Sequence, residues 1–160
     1  THPGKKLNFM GNEIGHFREW DEKREQDWEL LRYPLHDAFF HYIKTLNHLY
    51  QTHPALYEWD YRQEGFQWLD CEQDGSCSYA FLRIGRGEKL VVVLNLDDHP
   101  VLDYCLRIPG GERLELLLNT DWQSWGGNTP EKPQHVFPRQ SGEFFVNIPP
   151  LSGMMFRVER

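Results

Sequence analysis

Residues 90–96 read LVVVLNL, and the placement of this run decides the fold. A strand packed on both faces reads as a near-continuous apolar run, whereas a half-buried strand alternates, so 90–96 is predicted as a central strand covered on both sides. Gly85-Arg86-Gly87 just upstream carries turn residues, and residues 78–83 before it alternate as a half-buried strand does; together they predict a hairpin. Working outward, residues 66–69, 104–108, 113–118, 144–148 and 154–158 read as further short strands. Asp74-Gly75, Pro109-Gly110-Gly111, a long polar loop over 119–140 and Pro149-Pro150 punctuate them. Short strands at this spacing, with no helical period between them, predict an antiparallel sandwich or Greek-key barrel.

Upstream the period changes. Leu35, Phe39, Tyr42, Ile43, Leu46, Leu49 and Tyr50 recur on one face at helical spacing, Pro34 suits a first helical turn, and His53-Pro54 stops the helix. A boundary between two regions is therefore expected within 52–61. Ahead of the helix, Pro3 and Gly4 precede an apolar stretch, 5–10, predicted as a strand that would need neighbours for its ladder bonds. It runs into residues 9–28, FMGNEIGHFREWDEKREQDW, where Gly11 permits a turn at the strand end and polar and aromatic residues follow. That is the pattern of a functional loop, with the charged run 18–26 solvated between Trp20 and Trp28. A chain opening at Thr1 directly into such a strand is expected to be a piece of something longer.

With 160 residues, 39% apolar and 14% aromatic, the chain has material for one complete core and part of a second. The net charge of −7 repels phosphate backbones, so nucleic acid and anionic membrane are poor partners. Without a run of about 20 apolar residues or a charged-then-apolar leader, a soluble, cytoplasmic protein is expected. Three cysteines, Cys71, Cys77 and Cys105, form neither CxxC spacing nor an even set, and are read as reduced thiols packed in strands.

Chemistry-bearing patterns are sparse. An acidic pair could cleave a glycosidic bond, but of Glu13, Glu19, Asp21, Asp70, Asp97 and Asp98 only Glu13, just past Gly11, differs in context from a solvated surface acid. The histidines have no tight ligand spacing, no serine sits in GxSxG, and the GRG segment lacks the helix of a phosphate loop; no metal or cofactor is expected. Aromatics say more, because a sugar's apolar face can lie on an indole while its hydroxyls stay wet. Trp122 and Trp125 in NTDWQSWGGN fit such a role, as does Trp68, which alternation places beside Phe66. Equally, each ring could be a core plug or a lid.

In order along the chain, MGNEIG, REW, DWELL, LNHLY, PALYEWD, GFQWLDC, LVVVLNL, LLNTD and IPPLSGMMF resemble the C-terminal part of the 1,4-α-glucan (glycogen) branching enzymes of the α-amylase superfamily, over essentially the whole chain. The resemblance implies a mainly β chain: residues 1–55 would be the end of a (β/α)8 barrel, its last strand, loop and helices, and 56–160 an antiparallel Greek-key β-sandwich. It implies a retaining transglycosylation, cutting an α-1,4 bond and making an α-1,6 branch, whose nucleophilic Asp, acid-base Glu and stabilising Asp would precede Thr1. No residue present is then catalytic, and the chain alone is expected to be inactive. Asn12 and Glu13 would sit at the barrel rim beside the substrate, and Trp68 on the β domain would contact glucan. The implied partners are α-glucan (glycogen, amylose, amylopectin) and the remainder of the barrel. The charge-rich 16–28 departs from the family pattern. A non-catalytic starch- or glycogen-binding β module is the alternative, and a β domain that only shields the barrel a third.

Overall fold

A computed structural model describes residues 1–70 and 77–159. The turn expected at Asp74-Gly75 and the thiol of Cys71 lie outside the described residues. Among the described residues one long helix, α1 (Pro34–Thr52), precedes eight strands: β1 (Phe66–Asp70), β2 (Ser78–Gly85), β3 (Glu88–Asn95), β4 (Val101–Arg107), β5 (Arg113–Asn119), β6 (His135–Val136), β7 (Glu143–Ile148) and β8 (Ser152–Glu159). Their pairing is antiparallel throughout, in a six-stranded sheet ordered β1-β2-β3-β8-β5-β6 and a two-stranded sheet β4-β7.

β3 lies inside the large sheet and is packed on both faces, as its unbroken apolar run predicts: Leu90, Val91, Val92 and Val93 are all buried. Strand alternation divides them. Val92 pairs with Met155, which lies with Leu46, Leu49, Tyr50 and Leu56 on the side of α1. Val91 and Val93 pair with Phe156 and Met154 and turn to the other side, where Tyr104, Leu106, Phe144, Val146 and Ile148 of the small sheet complete a single core. The Gly85–Glu88 hairpin closes in register. At the opposite end of β3, buried Asn95 donates to the carbonyls of His99 (2.9 Å) and Pro149 (3.0 Å) and accepts from the Asp97 amide (3.1 Å), which locks the crossing loops.

α1 starts and stops where proline predicts. Its apolar face is used unevenly: Leu49 is buried, and Tyr42, Leu46 and Tyr50 pack on the core, while Leu35 and Phe39 remain exposed. The chain below α1 belongs to the same cluster through Ala55 and Leu56.

Four expectations are corrected. Residues 5–10 are irregular backbone, because among the described residues no strand pairs with them to take their ladder bonds, and Leu7 is 87% exposed. The 18–26 segment is held by more than its tryptophans: Trp20 packs edge-on against Phe9 at 5.8 Å and Trp28 opens a 3-10 turn, but Arg18 also ties the segment down by bonding both oxygens of Asp27 at 3.0–3.2 Å. The polar loop 119–140 contains a short strand, β6, whose His135 and Val136 are placed by pairing with Glu115 and Leu114, a tertiary contact that leaves no period in the sequence. Of the cysteines, Cys105 is half-buried in β4 but Cys77 is exposed just ahead of β2.

Candidate functional site

Asn12 and Glu13 sit on a tight turn made by two left-handed glycines. Gly11 has φ 87° and Gly15 φ 63°, and they bracket a 3-10 turn, Asn12–Ile14. Asn12 N donates to Phe9 O (3.0 Å), while Ile14 and His16 both donate to Gly11 O. Space as well as φ demands glycine at 11, since a Cβ there would lie 2.8 Å from Gln26 Oε1 and 2.9 Å from His16. Fully buried Ile14 plugs the turn from below, and its carbonyl meets His36 Nδ1 of α1 at 2.7 Å. Behind it, His16 Nε2 lies 3.0 Å from Asp27 Oδ2, off the line of a hydrogen bond. The hydrogen bonds from Arg18 hold the Asp27 carboxyl below the usual carboxylate range. The result is a supported rim: Asn12 is exposed, and half-buried Glu13, reached by Asn8 Nδ2 at 3.4 Å, lines an open groove of about 590 Å3 with Met10, Phe40 and Lys44.

Trp68 is the open aromatic. On β1, an edge strand, it is 50% exposed and stands edge-on to Phe66 (5.1 Å) and Phe81 (5.7 Å), with Tyr79 at 6.5 Å. Alternation places Phe66 and Trp68 on one face, as the sequence predicts. One end of this wall is fixed by the Tyr104 hydroxyl, which donates to Asp70 Oδ2 at 2.8 Å; burial, and then that bond, pushes the Tyr104 pKa upward.

Trp122 and Trp125 behave differently from Trp68. Trp122 is 7% exposed and belongs to the core, so the plug reading describes it. Trp125 is half-buried, 6.4 Å from Trp122 and 5.8 Å from Tyr42 of α1, and acts as a lid over the helix. Asp121 shapes their loop by accepting from the amide of Asn128 (3.1 Å) and the hydroxyl of Thr129. The sequence candidates thus fall in three separate clusters: the Asn12–Glu13 rim, the Trp68 wall and the Trp122–Trp125 lid.

Sequence reasoning missed Arg83. It is fully buried and, with Lys6, shares the carboxylate of Asp60. Burial raises the Asp60 pKa, but the hydrogen bonds from Lys6 and Arg83 outweigh that and hold it below its ordinary value. The signal was present: a charge at an inward position of the alternating strand FLRI must have a buried partner. Among the described residues, no group of three or more His, Cys, Asp or Glu side chains could hold a metal ion, and no helix is long and apolar enough to cross a membrane.

The fold and these surfaces define a class. Residues 68–159 match the alpha amylase, C-terminal all-beta domain, and the chain belongs to that family. Across nearly its whole length it is also similar to proteins named 1,4-alpha-glucan branching enzyme GlgB. It is 38% identical to that of Oceanobacillus iheyensis, covering 99% of this chain and 26% of that protein, and 38% identical to that of Nitrosococcus oceani, covering 99% and 22%. The chain therefore spans about a quarter of the length of the curated relatives it matches. Among solved structures, an alpha-amylase from H. orenii shares the fold, with a TM-score of 0.52 and 19% identity over 84% of this chain and 23% of that one.

Proposed function

We propose that this chain is the C-terminal part of a 1,4-α-glucan branching enzyme, which cleaves α-1,4-glucan and transfers the segment to form an α-1,6 branch with retention of configuration. One observation carries the reading: 38% identity over 99% of the chain to a protein of that name. On this reading residues 1–55 are the last strand, loop and helices of a (β/α)8 barrel, and 56–160 are a Greek-key β-sandwich. The catalytic carboxylates belong to the upstream barrel. Leu7, Phe9, Met10, Phe17 and Leu35, all at least half exposed, are apolar surface for that barrel to cover. Strand 5–10 would form once barrel neighbours supply its hydrogen bonds.

α-Glucan (glycogen, amylose, amylopectin) is the proposed ligand and the cytoplasm the proposed location; a net charge of −7 disfavours nucleic acid and anionic membranes. Asn12 and Glu13 border the substrate. Trp68 offers the open ring for stacking, and Trp125 a partial one, backed by Trp122. A full-length parent should change the iodine staining of amylose while the 160-residue chain leaves it unchanged; a change produced by the chain alone would sink the assignment of catalysis to the upstream part. A second reading, a non-catalytic glucan-binding module, is favoured by the exposure of Trp68. Binding by the chain, without activity in the parent, would select it.

A further inference from the structure

The path into the Asn12–Glu13 turn is tied to the β sheet through one buried guanidinium. Arg83 of β2 is 0% exposed. Its Nη1 donates to the carbonyls of Thr1 (2.6 Å) and His2 (2.8 Å), and its Nη2 to the carbonyl of Leu56 (3.2 Å) and the carboxylate of Asp60. Lys6 Nζ approaches from the other side, donating to Asp60 Oδ2 (2.8 Å) and Oδ1 (3.1 Å), to Gly4 O (2.7 Å) and to Leu56 O (3.1 Å), and lying 5.0 Å from the Tyr50 ring of α1. Arg83 Nε adds a donation to the Gly65 carbonyl (3.4 Å). A displaced 1–6 path would therefore leave Nη1 buried without its two acceptors while the rest of the guanidinium stays paired, a cost that holds residues 1–6 on this path.

We propose that Arg83, with Asp60 and Lys6, is a positioning unit through which strand β2 sets the course of residues 1–6 and so the placement of Asn12 and Glu13. The geometry stands alone; its consequence for catalysis rests on the branching-enzyme reading. Residues 7–10 separate the Lys6 anchor from Gly11, and beyond the turn the Ile14 carbonyl is held by His36 of α1. The rim is thus suspended between two anchors. The upstream one belongs to the β region, which gives that region a role beyond shielding apolar surface.

Hydrogen exchange on the 160-residue chain tests the geometry, using Arg83→Met, Arg83→Lys and the more peripheral Lys6→Met in case Arg83→Met fails to fold. The hydrogen-bonded amides of the turn, Asn12, Ile14 and His16, should lose protection by about tenfold while those of β3 and β8 keep theirs, since only the local opening is eased. Unchanged protection at Asn12, Ile14 and His16 in Lys6→Met, or an equal loss across β3 and β8, would overturn the positioning role. In the full-length parent the same variants should raise KM for amylose several-fold with a smaller change in kcat, and Arg83→Lys should recover part of the loss. Unaltered KM and kcat would overturn the functional consequence. A wild-type parent lacking branching activity would instead refute the reaction assigned above, and the exchange data would still decide the positioning claim.

Discussion

At the scale of single residues, exposure separates three tryptophans that look alike in the sequence. Trp68 keeps half its surface open on an edge strand, so Trp68→Ala should leave the fold intact and weaken retardation in glucan affinity electrophoresis by about five- to tenfold, the worth of one stacked ring. Trp122 lies in the core, and Trp122→Ala should instead cost about 3–5 kcal/mol of stability, read as a lowered urea midpoint. Equal retardation of Trp68→Ala and wild type would remove Trp68 from the binding surface. Asp60 gives a pH signature. Its folded pKa lies below the unfolded value near 3.8, so the native state binds fewer protons, and the stabilisation is present above about pH 4 and lost as pH falls through the folded value. Acid unfolding monitored by circular dichroism should therefore steepen below about pH 4 in the wild type and lose that component in Asp60→Asn. The role of Asp60 was not legible beforehand because its partners, Lys6 and Arg83, are distant in sequence and meet only in the fold.

At the scale of elements, strands and helix were largely readable because each carries its own period. α1 ends where His53-Pro54 demands, and β3 is buried on both faces as an unbroken apolar run requires. Elements that borrow their definition from neighbours were not: β6 exists only by its register with β5, and 5–10 stays irregular without a flanking strand. The 119–129 loop illustrates the same dependence. A Cβ at Gly127 would lie 2.2 Å from the Asp121 carbonyl, so Gly127→Ala must displace the loop that seats Trp122. A loss of about 1–3 kcal/mol is expected, with a shift in Trp fluorescence that a simple surface substitution would not produce.

At the scale of the whole molecule, one buried cluster joins α1, the Pro54–Leu56 turn and both sheets, so the two regions seen in the sequence share a core. The large exposed apolar residues lie mostly in the segment before the strands, including the first turns of α1's apolar face at Leu35 and Phe39. Such a surface promotes association when left uncovered, and gel filtration of the 160-residue chain should show concentration-dependent self-association that Phe9→Ser with Phe17→Ser relieves. A monomer at all concentrations would argue that this face is adequately solvated.

By itself the sequence determined the long helix, the seven strands that carry their own period and the resemblance along its length, because hydrophobic period, proline and glycine placement and ordered motifs are local properties. Tertiary structure alone decided which tryptophan is a surface and which a plug, and that a guanidinium on β2 holds the path toward Asn12 and Glu13. Burial and ion pairing are set by what the rest of the chain brings alongside a residue, and its immediate sequence neighbours do not record that.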